Sequence, residues 1–438
     1  MAAHRIVIVG GGAGGLPLAC SLGRSLGRRA RAEVTLVDPF PTHVWKPLLH
    51  EVAAGRMDAD LHGVDYPALA HRHGFRFRQG AMTGLDRAAR TIRVAAVVDD
   101  EGAEILPARD LRYDTLIIAV GSESNDFGVP GVAGHAIALD TPPQAERFHR
   151  RLLAASVRAD ARKAEGGEGR IDVVIIGAGA TGVELAAEIR QTAREHAAYG
   201  LDHLEPDRDL RIALVEAAPR ILPPLSADIA DAATRLLAEL GVDVHTGERV
   251  VEVTDAEVRT AGGRRFPADL VVWAAGIRAP RWLAELDGLE TNRAHQLVVR
   301  ETLQATRDAD VFAFGDCAAC PWPRHGEGAI LPPRAQVAHQ QANLLANAMR
   351  ARLEGRPLPE FRFRDYGSLV SLGELSAVGT LMGALIGGSL VVQGLVARAM
   401  YASLYKAHQV ALHGIPQVIL DTAGRFLRGG VAPRVKLH

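Results

Sequence analysis

The sequence is short of cysteine, of net charge and of any export signal, and each shortage excludes something. Three cysteines in 438 residues (Cys20, Cys317 and Cys320) are too few and too clustered for the disulfide framework of a secreted scaffold, and they fit a reducing compartment. Lys and Arg number 50 against 51 Asp and Glu, so the chain lacks the basic excess that a phosphate backbone demands, and no nucleic acid partner is expected. The opening MAAHRIVIVGGG enters an apolar strand at once, without the charged, apolar and cleavage regions of a signal peptide. The 17 histidines contain no H-x3-H cluster with a carboxylate, and Cys317-x-x-Cys320 has no second pair to complete a tetrahedral set, so no metal site is expected. What is left is ordinary globular composition, 48% hydrophobic and 23% charged, at a length of two or three domains.

The balance of charge is uneven along the chain. Residues 397–438 carry Arg398, Lys406, Arg425, Arg428, Arg434 and Lys436 against the single acid Asp421, a basic tail suited to an anionic membrane surface. Residues 375–397 hold no charge, long enough to span a bilayer, but five glycines and the Gly387-Gly388 pair between β-prone runs favour a hairpin. Residues 395–413 read as an amphipathic helix. Val396, Met400, Leu404, Ala407, Val410 and Ala411 fall in one sector, and Arg398, Lys406, Gln409 and His413 in another, a helix expected to lie in the membrane interface.

One grammar occurs twice. Strand His4–Val9 leads through glycines into an alanine- and leucine-rich helix at 16–27 and a second strand at Glu33–Asp38. Strand Ile171–Ile176 leads through glycines into a helix from Val183 and a strand at Arg211–Glu216, with a loop insertion around Gln191–Asp209. Gly10, Gly12 and Gly15 satisfy G-x-G-x-x-G with Asp38 ending the next strand; Gly177, Gly179 and Gly182 do so with Glu216. In such a turn the first glycine permits the tight bend, the second lets backbone approach a pyrophosphate, and the third permits close helix packing, while the acid bonds ribose hydroxyls. Glu216 would repel a 2′-phosphate and so favours NADH over NADPH; Arg220, four residues on, weakens that preference. Two dinucleotide sites in one chain imply electron transfer between two cofactors. The charged stretch Arg158–Arg170 reads as a surface connection, and the run DADVFAFGD after Thr302 as a strand returning to the first sheet.

With both turns in place, the chain resembles the type II NADH dehydrogenases, the single-subunit, non-pumping NADH:quinone oxidoreductases of bacterial respiration. The resemblance runs through VTLVDPFPTHVWKPLLHEVAAG (34–55), YDTLIIAVGSESNDFGVPG (113–131), VVIIGAGATGVELAAEI (173–189), WAAGIRAP (273–280), FAFGDCAACP (312–321), PPRAQVAHQQA (332–342) and PRVKLH (433–438). It implies an α/β fold of two Rossmann-like dinucleotide-binding domains, like glutathione reductase, plus a C-terminal membrane-docking segment. The expected FAD domain is 1–150 with 301–375, the NADH domain 151–300, and the docking segment 376–438. FAD would be held by Gly10, Gly12, Gly14, Gly15, Asp38, Gly121 and Asp316, the last as the ribityl-binding carboxylate, and NADH by Gly177, Gly179, Gly182, Glu216 and Gly276. Lys46, beside Pro47 and Leu48, would line the isoalloxazine, where a cation favours reduced flavin. Gln336 and Gln340 lie four apart on one helix face, where their amides could bond a quinone carbonyl or the flavin edge. Glu184, expected in the first turn of its helix, would deliver protons. Pro17 stands where the family often has an acid, a position that tolerates proline.

The resemblance implies hydride transfer from NADH to flavin and then two electrons to a membrane quinone, at the cytoplasmic face of the inner membrane, without proton pumping. It is compatible with a homodimer. Disulfide reductases and sulfide:quinone reductases of the same superfamily use cysteines at the flavin, and none lies between Cys20 and Cys317. Two other readings stay open from the residues: a soluble protein or small-molecule acceptor, and a nucleotide-sensing scaffold without turnover.

Overall fold

The computed structural model describes residues 3–371, 377–383, 388–393, 395–428 and 436. The chain forms two compact units. Unit 1 comprises Met1–Trp45, Gly63–Glu123 and Ile277–Arg364; unit 2 comprises Lys46–His62, Ser124–Gly276 and Asp365–His438.

Unit 1 is built on five parallel strands in the order Val311–Ala313, Thr115–Ile118, His4–Val9, Ala32–Asp38 and Arg76–Gln79. The inner strands are unbroken apolar runs because a parallel sheet is covered on both faces, and Ile6, Ile8, Leu36 and Ile117 are buried in it. DADVFAFGD does return a strand to this sheet, pairing Leu116 with Val311. The helix after the first glycine turn, Gly15–Leu22, widens into a π-helical turn at Gly23–Gly27. There a Cβ on Gly27 would stand 2.0 Å from the Gly74 carbonyl, so glycine lets the turn nest on that backbone.

Unit 2 repeats the plan with Ala136–Ala138, Leu270–Trp273, Ile171–Ile176, Leu210–Glu216 and Val242–Thr246, all parallel. Both units place the strand that feeds the glycine turn in the middle of the sheet. Residues 46–62 and 124–150 lie in unit 2, so the compact units divide the chain at 123/124 and 276/277 rather than at 150/151 and 300/301.

Two local expectations fail in this unit. Arg158–Arg170 is not a surface connection throughout: helix Pro142–Ala164 runs through its first half, capped by Thr141 and Gln144. Its buried stripe is Leu152, Ala155 and Ala159, and alanines carry too little hydrophobic contrast to reveal the period among charges. The loop expected at 191–209 is mostly helical, since helix Ala180–Ala197 continues and a short helix follows at Pro206–Asp209. Buried Arg190 fixes this region by donating to the carbonyls of Pro206, Leu210 and Gly241.

The uncharged run near the C-terminus forms strands, with Ala377–Gly383 antiparallel to Gly388–Gln393 and Gly383 opposite Gly388; Gly387 lies outside the described residues. Helix Leu395–His413 has the expected bounds but buries a different face. Ala407 is exposed while His408, Gln409 and Leu412 are buried, and Lys406 donates to the Gln409 side chain at 3.0 Å. A satisfied glutamine can face a core. The side chains of Val396, Arg398, Met400, Leu404, Arg425 and Arg428, and residue Arg434, lie outside what the structure describes. Among the described residues no helix is long and apolar enough to cross a membrane.

Burial pushes His43, His50 and His149 each down to about 4, so each is neutral in the fold and charged below its ordinary value of 6.5 once unfolded. The unfolded chain therefore binds more protons between these limits, and stability falls as pH drops through that window. Denaturant unfolding should show a loss of roughly 2 kcal/mol per group between pH 7 and pH 5, from about 1.4 kcal/mol per pKa unit. A flat profile would contradict the burial of these rings as neutral groups.

Candidate functional site

The two glycine turns are the same device. In unit 1 the Asp38 carboxylate accepts the Gly11 N–H at 2.7 Å and the Phe40 N–H at 3.0 Å. In unit 2 the Glu216 carboxylate accepts the Ala178 N–H at 2.7 Å and the Ala218 N–H at 2.8 Å. Gly10 (φ +98°) and Gly177 (φ +102°) occupy the left-handed region, and each donates its N–H to the second strand, to Val37 and Val215, at 2.8 Å. A Cβ on Gly15 would stand 1.8 Å from the Gly10 carbonyl, and one on Gly182 would stand 2.0 Å from the Gly177 carbonyl. Nothing lies within 4 Å of where a Cβ would stand on Gly12 or Gly179. Open space over the middle glycine, next to a helix N-terminus, is what a pyrophosphate needs, and each carboxylate oxygen keeps a lone pair for a ribose hydroxyl. The residues present therefore fit a dinucleotide in both units. Arg220 turns away from Glu216 and donates to the Pro223 carbonyl at 2.9 Å.

The other residues expected at the cofactors have the following local settings. Gly14 packs under Phe314, whose ring edge would stand 2.4 Å from a Cβ there. Gly121 (φ +73°) is open around its Cβ position, and Gly276 (φ +63°) closes on Phe127. Asp316 follows strand Val311–Ala313, and its carboxylate accepts the Ser122 hydroxyl at 2.8 Å, at the carboxyl end of the sheet where ligands collect. A residue that the motifs did not single out completes this corner: Gln341 is buried, and its Oε1 accepts the Gly315 N–H at 2.8 Å, tying helix Ala335–Leu353 to the Gly-Asp turn. Its only sequence signal was its place inside AQVAHQQA. Gln336 is half-buried on the same helix. Gln340 pairs with backbone, its Nε2 donating to the Arg364 carbonyl at 2.8 Å and its Oε1 accepting the Arg364 N–H at 3.1 Å. That pairing fixes the amide and the chain at 364 together.

The cysteines carry no redox pair. All three are free and buried, and burial pushes the thiols of Cys317 and Cys320 up to about 11 and about 12, so they stay protonated. Among the described residues no cluster of His, Cys, Asp and Glu could hold a metal ion.

In unit 2 a polar seam separates helix Leu49–Ala54 from helix Ala180–Ala197. Glu184 is 5% exposed and sits in the second turn of its helix, not the first, because the helix begins at Ala180. Its Oε2 lies 3.4 Å from His50 Nδ1. One helical turn on, Glu188 faces the Arg56 guanidinium at 3.6 Å, and Glu195 faces it at 3.8 Å. Burial keeps His50 neutral, whereas Arg56 supplies a fixed positive charge. Lys46 pairs with Asp140 at 3.1 Å, and Asp140 also accepts the Ser124 N–H at 2.9 Å. The Lys46 ammonium thus has an acid beside it within its own unit, an arrangement the sequence did not foretell.

Two acid-closed glycine turns, each on its own parallel sheet, are the arrangement of a two-dinucleotide oxidoreductase. Residues 4–342 match the family model described as pyridine nucleotide-disulphide oxidoreductase. The type II NADH:quinone oxidoreductase of Haemophilus influenzae is 41% identical over 449 residues, covering 99% of this chain and 99% of the relative. The type II NADH:quinone oxidoreductase NdhA of Mycobacterium tuberculosis is 30% identical over 392 residues, covering 86% and 78%. The solved structure of NDH2 from Plasmodium falciparum in complex with NADH shares the fold, with a TM-score of 0.81 at 19% identity over 99% of this chain and 100% of that one. The chain belongs to the pyridine nucleotide-disulphide oxidoreductase family and, within it, to the type II NADH:quinone oxidoreductases. It is an enzyme of the NADH:quinone oxidoreductase class.

The glycines make separable predictions. Gly179→Val adds a side chain to open space at an ordinary backbone angle, so unit 2 should melt normally while dinucleotide affinity there falls at least roughly tenfold. Gly182→Val drives a side chain into the Gly177 carbonyl and should unfold unit 2 instead. Equal melting of the two variants would contradict the assigned roles.

Proposed function

We propose that unit 1 holds FAD and unit 2 holds NADH, and that the enzyme reduces a membrane quinone without moving charge across the bilayer. The observation that carries this reading is the tie between Gln341 and Gly315, which joins the AQVAHQQA helix to the Gly-Asp turn of the FAD cradle within one unit. Bound FAD supplies hydride acceptance from NADH and electron donation to the quinone. The chain supplies the rest. Glu216 holds the adenine ribose of NADH through its remaining lone pairs, Asp38 and Asp316 hold the ribose and ribityl hydroxyls of FAD, and Gln336 presents its amide toward the quinone, with Gln340 offering the one N–H and one lone pair that Arg364 leaves over. Lys46 is assigned to the flavin side, with Asp140 setting its position.

The overall reaction consumes one proton: NADH, H+ and quinone give NAD+ and quinol. We assign its supply to Glu184. Its carboxyl is buried and lies 3.4 Å from the His50 imidazole, and a carboxyl beside an imidazole is a pairing suited to general acid–base work.

Membrane association is assigned to helix Ile415–Arg428 rather than to Leu395–His413, whose described buried face is partly polar. Ile415, Ile419 and Leu420 are 62%, 62% and 72% exposed on that helix, an apolar surface in a basic tail suited to the interface at the cytoplasmic side.

Glu184→Gln should cut quinone reduction by about a hundredfold while sparing an artificial one-electron dye, which takes up no proton. Equal loss with both acceptors would remove Glu184 from proton supply. Leu420→Glu should shift the enzyme from the lipid-bound to the free fraction in sedimentation with anionic vesicles, leaving dye reduction unchanged. Undiminished co-sedimentation would move the docking surface elsewhere.

A further inference from the structure

Lys436 was expected as one cation of a basic tail facing lipid, and PRVKLH as one of the segments that carry the resemblance, yet Lys436 is bound back onto unit 2. Its N–H donates to the Gly55 carbonyl at 2.7 Å, and its carbonyl accepts from His196 Nε2 at 3.1 Å. Its ammonium lies 3.3 Å from Asp58 Oδ2, with the side chain 20% exposed. One residue is therefore held through both backbone groups and its charge, a pattern unlike that of a solvated tail cation.

The places it touches are informative. Gly55 closes helix Leu49–Ala54 in the left-handed conformation (φ +82°), five residues after His50. His196 stands on helix Ala180–Ala197, twelve residues after Glu184. Lys436 thus joins, at one end, the two helices whose other end carries the His50–Glu184 contact, with Arg56 reaching Glu188 and Glu195 between. A six-residue helix has almost no stability of its own, so its place depends on such holds. The third wall is His149, whose ring would stand 2.2 Å from a Cβ on Gly55 and lies 5.9 Å from the His196 ring. Burial keeps both rings neutral, so the Lys436 ammonium meets no opposing charge from them.

We propose that Lys436 is a positioning residue that pins helix Leu49–Ala54 to helix Ala180–Ala197 and thereby holds His50 against Glu184. The consequence for catalysis rests on the reading of Glu184 as the proton supplier; the pinning itself does not. Without the pin, water reaches the pair, and solvation favours the charged form of a carboxyl.

The test compares full-length enzyme with a variant lacking residues 434–438 and with Lys436→Met, which keeps the backbone bonds and loses the Asp58 pair. Amide hydrogen exchange across residues 46–62 should rise about tenfold or more in the shortened variant and less in Lys436→Met, with strand His4–Val9 unchanged. The alkaline limb of the pH profile for quinone reduction should move to lower pH by about half a unit or more in the same order, with dye reduction unmoved. Unchanged exchange across 46–62 overturns the pin. Raised exchange with an unmoved limb overturns the positioning role and leaves Lys436 a structural strap. If the shortened chain does not fold, Lys436→Met and Asp58→Asn decide by the same two readouts. Should Glu184→Gln leave quinone reduction intact, the proton reading fails, while the exchange result still decides the pin.

Discussion

A carboxylate at the end of a strand, bonded to the amide that follows the first glycine of the preceding turn, is the interaction on which both units depend. Asp38 and Glu216 accept amides from two directions at 2.7 to 3.0 Å. Each bond is charge-assisted, and together they hold the turn open in the shape a pyrophosphate needs before any ligand arrives. That preorganisation explains why the middle glycines face empty space while the third glycines are pressed against carbonyl oxygen. One glycine keeps room for the ligand, and the other brings the helix close enough to aim its N-terminus at it.

The second constraint is polar. Unit 2 sets a row of acids on one helix against a short helix that brings a neutral histidine, with Arg56 just beyond the short helix's end. Buried charge is costly unless paired, and arginine serves here because it stays ionised and can face two carboxylates. Beyond the reach of the arginine, Glu184 lies 3.4 Å from the His50 ring. The proton chemistry proposed for Glu184 draws on that contact.

Much of this was legible in the letters. Strand Ile171–Ile176 was read to the residue, both glycine turns were placed with their acids, and the returning strand near residue 311 was foreseen, because unbroken β-branched runs between glycines admit few alternatives. What escaped had physical reasons. Alanine stripes hid the second half of helix Pro142–Ala164 among charges. The membership of residues 46–62 in unit 2 is a matter of tertiary packing, on which a local pattern is silent. Gln409 was placed outside by its polarity, yet it is buried and bonded by Lys406. Lys436 was counted among the cations of a lipid-facing tail although its N–H and carbonyl are both engaged, and a charge count cannot see a backbone bond.

The central claim is that this polypeptide holds a flavin that NADH reduces directly. Anaerobic titration of the purified holoprotein with NADH measures this in the visible flavin absorbance. The account predicts loss of that absorbance with one NADH per bound flavin, and its return when a quinone is added. A chain that carries no flavin after reconstitution, or whose flavin stays oxidised under excess NADH, would contradict it.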